Sequence, residues 1–228
     1  VTFAEPIMDV EVLSPAPELA SSEILVLMRN GIVVSVKDGL VSEWFVPRVV
    51  GMPPRRACVN DVAIALEGTA SPSIVLTTSY GFDICDPKGR VKSSAQLGRD
   101  RVWISRQVAA PDGTENVVVV PSRPSELQCV TAGGESRWRG KYDRISSGSY
   151  CVDVAVSHAG TKVAIATRNG LVMVVCAACG VEQGRFNEGV WPRLLWRQGA
   201  SPSDEIVICA SHHGLVALKP VDETTDTH

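Results

Sequence analysis

Three aspartates recur in one local setting, within or just ahead of a run rich in Val and Ala: Asp9, Asp61 and Asp153, with Arg106 at the corresponding place of another such run. Carboxylates brought together can protonate a leaving oxygen and attack or activate water, which is the chemistry of glycoside hydrolysis. The same residue type there can also simply hydrogen-bond nearby backbone. Aromatic residues, which would stack on a sugar, make up only 5% of the chain and favour the second reading. Cys176-Ala-Ala-Cys179 has the spacing of a redox or zinc half-site, but no second close pair of Cys or His completes it. His158, His212, His213 and His228 stand with no Ser/Asp or Cys partner in a catalytic arrangement. Asp112-Gly113 and Gly133-Gly134 are turn glycines, not a phosphate cradle. No catalytic residue, metal or cofactor is expected.

The elements that must position these residues belong to an ordinary globular chain. It has 228 residues, 45% hydrophobic and 21% charged, with a formal net charge of -3. This composition excludes general disorder and leaves room for one sizeable domain or two small ones. No apolar stretch approaches the roughly 20 residues of a spanning helix, since Val117–Pro121 and Leu171–Cys176 are among the longest. No membrane role is expected. Seven cysteines, an odd number set mostly in apolar runs, suggest a reducing cytoplasmic or nuclear setting. Starting at Val1 rather than Met, the sequence is expected to be a fragment or a processed form.

Five segments repeat an apolar run, a tight polar turn and a second apolar run, beginning at Glu23, Ser73, Glu115, Lys162 and Glu205. Four turn at a glycine, Gly31, Gly81, Gly170 or Gly214, which accepts the positive φ of hairpin turns; the middle one turns at Arg123-Pro124. Gly31 and Gly81 are 50 residues apart, Gly81 and Gly170 are 89 apart across two units, and Gly170 and Gly214 are 44 apart. A further strand is predicted before each hairpin, at Ile7–Leu13, Val59–Leu66, Val102–Ala109, Cys151–Ser157 and Arg193–Arg197. A more polar strand is predicted after it, at Val41–Val46, Val91–Leu97, Glu135–Gly140 and Val181–Phe186. Each unit thus reads A-B-C-D, with B and C the most apolar. The spacing approaches the ~40–45 residues of a four-stranded propeller blade. Two sheet-plus-helix modules would need amphipathic helices, and no 3.6-residue stripe with capping signals is present.

The segment from Ser149 to Val175 resembles a WD40 repeat blade, and the other four units resemble it more loosely. The Trp-Asp that usually ends strand C is replaced by Lys37-Asp38, Cys85-Asp86, Cys129-Val130, Val175-Cys176 and Leu218-Lys219, and no Gly-His precedes strand A. The blades are therefore expected to rely on apolar packing. The resemblance implies an all-β, five-bladed β-propeller over residues 1–221, followed by a disordered tail over 222–228. The fifth unit lacks a D strand, and Val1–Glu5 is expected to supply it and close the ring. Trp44, Trp103, Trp191 and Trp196 are expected to pack within or between blades.

In such blades the B–C turns and D–A connections share one face, and the A–B and C–D turns share the other. The first set carries Arg29, Arg48, Arg55, Arg56, Arg99, Arg101, Arg123, Lys141, Arg144 and Arg168, and is strongly basic. The second is mainly acidic. Arg29, Arg55, Arg56, Arg99, Arg101, Arg123 and Arg168 are therefore expected to bind an acidic or phosphorylated segment of another protein, on a non-enzymatic scaffold belonging to a larger protein or complex. The alternatives are a glycosidase-like hydrolase using the strand-A aspartates, and a nucleic-acid module in which Trp138 stacks between Arg137 and Arg139.

Overall fold

The computed structural model describes residues 2–3, 5–13, 23–45, 59–64, 73–97, 102–109, 114–121, 126–142, 149–187, 192–197, 205–212 and 214–218. Over these residues, nineteen strands form five antiparallel sheets. The first is β1 (Ile7–Leu13), β2 (Glu23–Met28), β3 (Val33–Lys37) and β4 (Leu40–Phe45); the second is β5 (Val59–Ile64), β6 (Ile74–Thr78), β7 (Gly81–Cys85) and β8 (Val91–Gln96). The third is β9 (Val102–Ala109), β10 (Glu115–Pro121), β11 (Glu126–Thr131) and β12 (Ser136–Lys141); the fourth is β13 (Cys151–Val156), β14 (Lys162–Thr167), β15 (Leu171–Cys176) and β16 (Glu182–Asn187). The fifth holds β17 (Arg193–Arg197), β18 (Ile206–Ser211) and β19 (Gly214–Leu218). Strand order within every sheet follows the chain, as the A-B-C-D pattern predicts. Among the described residues there is no helix, and so none long and apolar enough to cross a membrane.

Burial follows the same gradient. Every residue of β6 is buried, as are all of β14 and β15 except one end residue each, whereas β4, β8 and β12 are largely exposed. Strands covered on both faces need continuous apolar runs, and outer edges need polar ones. The chain divides into two compact units, Val1–Ser105 and Arg106–His228. In the first, Leu25, Leu27 and Val33 of one sheet pack against Val59, Val62, Ile74 and Leu76 of the next. In the second, Ala164, Ala166, Val172 and Val174 pack against Trp196, Val207, Cys209 and Leu218. The alternation of 164/166 and 172/174 is the two-residue period of a strand presenting one face to its neighbour.

Gly31, Gly170 and Gly214 take the positive φ expected of the hairpin turns, whereas Gly81 does not and instead opens β7 opposite Thr78 and Gln96. Gly31 (φ 80°) donates to the Met28 carbonyl at 2.9 Å, and the Met28 N–H donates to Ile32 at 2.9 Å, closing a three-residue loop with Gly in the left-handed region. Asp38 (φ 50°) and Gly39 (φ 78°) form the two-residue turn between β3 and β4.

Two expectations are corrected. The strand assigned to Val1–Glu5 does not form over its described residues: Thr2, Phe3 and Glu5 lie in no strand, and the fifth sheet holds three strands. The carbonyl of Pro6, next along the chain, accepts the Arg29 N–H at 2.9 Å, which ties this end of β1 into its own sheet. The tail over 222–228 lies outside the described residues. Trp103, expected to pack, is 46% exposed, because β9 turns Val102 and Ile104 inward and Trp103 outward.

Candidate functional site

The recurrent aspartates share a structural cause. β1, β5 and β13 each carry a register shift immediately before the aspartate, between Ile7 and Asp9, Val59 and Asp61, and Cys151 and Asp153. A bulge turns the local backbone and leaves N–H groups off the ladder. Asp9 Oδ1 accepts the Val10 N–H at 3.0 Å, and Asp153 Oδ1 accepts the Val154 N–H at 2.9 Å. Asp153 Oδ2 reaches the next inner strand, accepting the Leu194 N–H of β17 at 2.8 Å. Asp61, 8% exposed, accepts from the Thr77 hydroxyl at 3.5 Å, and that oxygen accepts the Ser105 N–H of β9 at 2.9 Å. Arg106 occupies the corresponding place with reversed polarity, its Nε donating to the Val154 carbonyl at 3.1 Å. Asp61 through Thr77, Arg106 and Asp153 thus tie one inner strand to the next, while Asp9 caps only its own bulge, and Trp196 adds to the set by donating from Nε1 to the Ala155 carbonyl at 3.0 Å. Apolar packing is therefore supplemented by a polar inner network. Thr77 and Ser105 are its members that reading the sequence misses, since buried hydroxyls inside apolar strands look like ordinary strand residues.

The two ends of the blades separate as expected. The N–H groups of Arg29 and Arg168, in B–C turns, donate to the carbonyls of Pro6 and Tyr150, just before β1 and β13, at 2.9 and 2.8 Å. At the opposite end, the C–D turn of the fourth blade meets its A–B turn through the Ala177 N–H and the Thr161 carbonyl at 2.8 Å. Both arginine side chains are exposed. Under the Arg168 turn, Asn169 Oδ1 accepts from the Ser149 and Thr167 hydroxyls. Arg55, Arg56, Arg99, Arg101 and Arg123 lie outside the described residues. In the turn between β7 and β8, Asp86 accepts the Arg90 and Lys88 N–H groups at 3.0 and 2.9 Å and pairs with Arg90 Nε at 2.7 Å. The Arg90 backbone bond first, aided by its side chain and by Lys88, holds the Asp86 carboxyl below its ordinary value.

Trp138 does not stack outward between its arginines. Its Nε1 donates to the Ala177 carbonyl at 2.8 Å, and its ring lies over Gly180, where an added Cβ would approach it to 2.6 Å. Trp44 makes the same kind of tie to Pro87 at 3.0 Å beside Gly89. Each links an outer strand to the C–D turn of the following blade. Arg137 donates to Thr114, and Arg139 to Gln128 and Glu126, so this run is engaged along its own sheet.

A groove of about 450 Å³ lies within the first unit, lined by Glu43, Trp44, Phe45, Asp83, Gly89, Val91 and Ser94. Burial pushes the Asp83 carboxyl above its ordinary 3.8, against a hydrogen bond from Ser94 that lowers it. A carboxyl raised in the folded state binds its proton more tightly there. Its contribution to stability is therefore present at acid pH and lost as pH rises through the raised value. Asp83→Asn should stabilise the chain at pH 7 by less than about 1 kcal/mol, because the partly exposed group is screened. Thermal melts at pH 7 and pH 3 check this, with the difference vanishing at pH 3.

Cys85 and Cys129 are buried thiols pushed up to about 12 by burial, which makes them unreactive. His158 and His212 are exposed in turns, and no three His, Cys, Asp or Glu residues among those described cluster around a metal position. His213, Trp191 and Cys58 lie outside the described residues.

No protein-family model matches the chain, and no curated protein matches it. The likeness is to solved structures. A lead-soaked crystal structure of BBS1N in complex with ARL6DN superposes with a TM-score of 0.72 at 10% identity, over 93% of this chain and 66% of that one. The β-propeller domain of Cps50 (Swd1) from Myceliophteria thermophila gives 0.68 at 11% identity, over 97% of this chain and 72% of that one. A mercury-soaked crystal of the same BBS1N complex gives 0.70 at 12% identity. The chain spans 66% to 72% of the length of these structures. With four antiparallel sheets in A-B-C-D order and a fifth of three strands among the described residues, the chain has the β-propeller fold.

Proposed function

We propose that the chain is a non-enzymatic scaffold that binds an acidic or phosphorylated segment of a partner protein at the B–C turn end of its blades. The observation that carries this reading is the setting of Arg29 and Arg168. Each is exposed on a turn clamped by its own backbone to the start of the inner strand, so the guanidinium is presented from a rigid base. A planar, bidentate donor on a fixed support suits carboxylate and phosphate. Arg55, Arg56, Arg99, Arg101 and Arg123 extend the same basic end by their place in the sequence. The engagement of Asp61 and Asp153 with backbone and Thr77 supports a structural rather than hydrolytic role for them. The packing of Trp138 removes the stacking platform that a nucleic-acid module would use. One similar solved structure is BBS1N in complex with ARL6DN, which supports a protein partner for this fold. Buried thiols at Cys85, Cys129, Cys151 and Cys209 support a reducing cytosolic or nuclear setting.

The test is an array of phosphorylated, Glu/Asp-rich and neutral peptides probed with the chain and with an Arg29→Glu/Arg168→Glu variant of equal thermal stability. Capture of the anionic peptides alone, lost in the variant and weakened by salt, is the expected result. Equal capture by both chains would make these arginines a solvated rim.

A further inference from the structure

Opposite residues of paired strands share a face of the sheet, and neighbours along one strand alternate between faces. The sheets of this chain meet in a constant sense. Leu25, Leu27 and Val33 form the forward face of the first sheet, which packs on the rear face of the second at Val62, Ile74 and Leu76. Ala164, Ala166, Val172 and Val174 form the forward face of the fourth, which packs on the rear face of the fifth at Trp196, Val207, Cys209 and Leu218. All of these side chains are buried.

The rear face of the first sheet and the forward face of the fifth have the same apolar make-up without the same burial. On the first sheet, pairing joins Val12, Ile24, Val36 and Val41 in one row and Val10, Val26 and Val34 in the next, with Glu43 at its outer end. Val26, at the centre, is buried, but Val10 and Val12 are 49% and 51% exposed. On the fifth sheet, Leu195, Ile208 and Ala217 form one row, Arg193, Ala210 and Leu215 the next, and Ile206 lies opposite Arg197. Leu195 and Leu215 are 62% and 77% exposed. Arg193 turns Nη1 back toward the fourth sheet, donating to the Val152 carbonyl at 3.4 Å. Apolar side chains exposed together on adjoining strands mark an interaction surface, because burying them is favourable.

One surface is a rear face and the other a forward face, the two halves of the contact that this chain already makes from its first sheet to its second and from its fourth to its fifth. That complementarity names the occupant. We propose that the forward face of the fifth sheet of one molecule packs on the rear face of the first sheet of a second copy. The contact joins unlike patches, so its repetition builds closed rings or open chains of copies rather than a pair related by a shared patch.

The test is analytical ultracentrifugation of the full chain and of two variants, Val10→Glu/Val12→Glu and Leu195→Glu/Leu215→Glu, each blocked on one face at exposed positions. The natural chain should form particles of two or more copies as its concentration rises. Each variant alone should stay a monomer, and a mixture of the two should give a one-to-one pair and nothing larger, because each supplies the face that the other lacks. A natural chain that stays monomeric, a variant that associates by itself, or two folded variants that do not pair would overturn the proposal. A second measurement needs no substitution: hydroxyl-radical footprinting of the natural chain, dilute and concentrated, read by mass spectrometry. Concentration should protect Val10 and Val12 together with Leu195 and Leu215 severalfold, and protection of one pair alone, or of neither, would refute the front-to-back contact.

Discussion

Gly81→Ala is expected to destabilise the first unit by upwards of about 3 kcal/mol, beyond most single substitutions. Gly81 opens β7 opposite Gln96 of β8, and a Cβ built on it would stand 1.8 Å from the Ala95 carbonyl oxygen and 2.9 Å from its carbon. Both are backbone atoms of a paired strand, so relief requires the β7–β8 ladder itself to move. Gly39→Ala is the control that separates space from conformation. Gly39 has φ 78° and nothing within 4 Å of its ideal Cβ, so its replacement should cost only the left-handed strain of about 1–2 kcal/mol. Urea unfolding followed by tryptophan fluorescence measures both. A smaller loss for Gly81→Ala than for Gly39→Ala would show that the close approach is not a constraint.

Asp153→Ala is expected to cost about 2–3 kcal/mol, the range for losing hydrogen bonds to a charged acceptor and leaving donors unpaired. The carboxylate accepts the Val154 N–H within its own bulge and the Leu194 N–H of the next inner strand. Asp153→Asn keeps one carbonyl oxygen and should lose roughly half as much. The sign of the change also separates the two readings of this residue. A carboxylate kept for catalysis is commonly a strained, stability-costing group whose removal leaves the fold unchanged or firmer. A tie between strands loosens the fold when cut. Thermal and chemical melts of both variants give the answer, and unchanged or raised stability in Asp153→Ala would reopen the hydrolytic reading.

Much of the fold is legible in the chain, and for local reasons. The runs Ile24–Met28 and Val163–Thr167 are β-branched enough to be strands, and Arg29-Asn30-Gly31 and Arg168-Asn169-Gly170 are turns that Gly makes possible. Outer strands such as Ser136–Lys141 show their exposure in their polarity. Arg29 and Arg168 fall between β2 and β3 and between β14 and β15, in the B–C turns that the repeat pattern assigns them to. Trp103 was misjudged because strand alternation alone does not say which face of β9 is covered.

What the sequence by itself determined is therefore most of the strands, the turns between them and their grouping into blades. These depend on propensities and periodicities acting within about ten residues. The tertiary structure alone decided what the singled-out side chains do. Asp153 meets Leu194 across 41 residues, Trp138 meets Ala177 across 39, and Trp44 meets Pro87 across 43, each about one blade away. In every case the partner is a backbone N–H or carbonyl. Almost every residue carries these groups, so the partner's identity leaves no mark in the sequence, and only the stacking of one sheet on the next selects it.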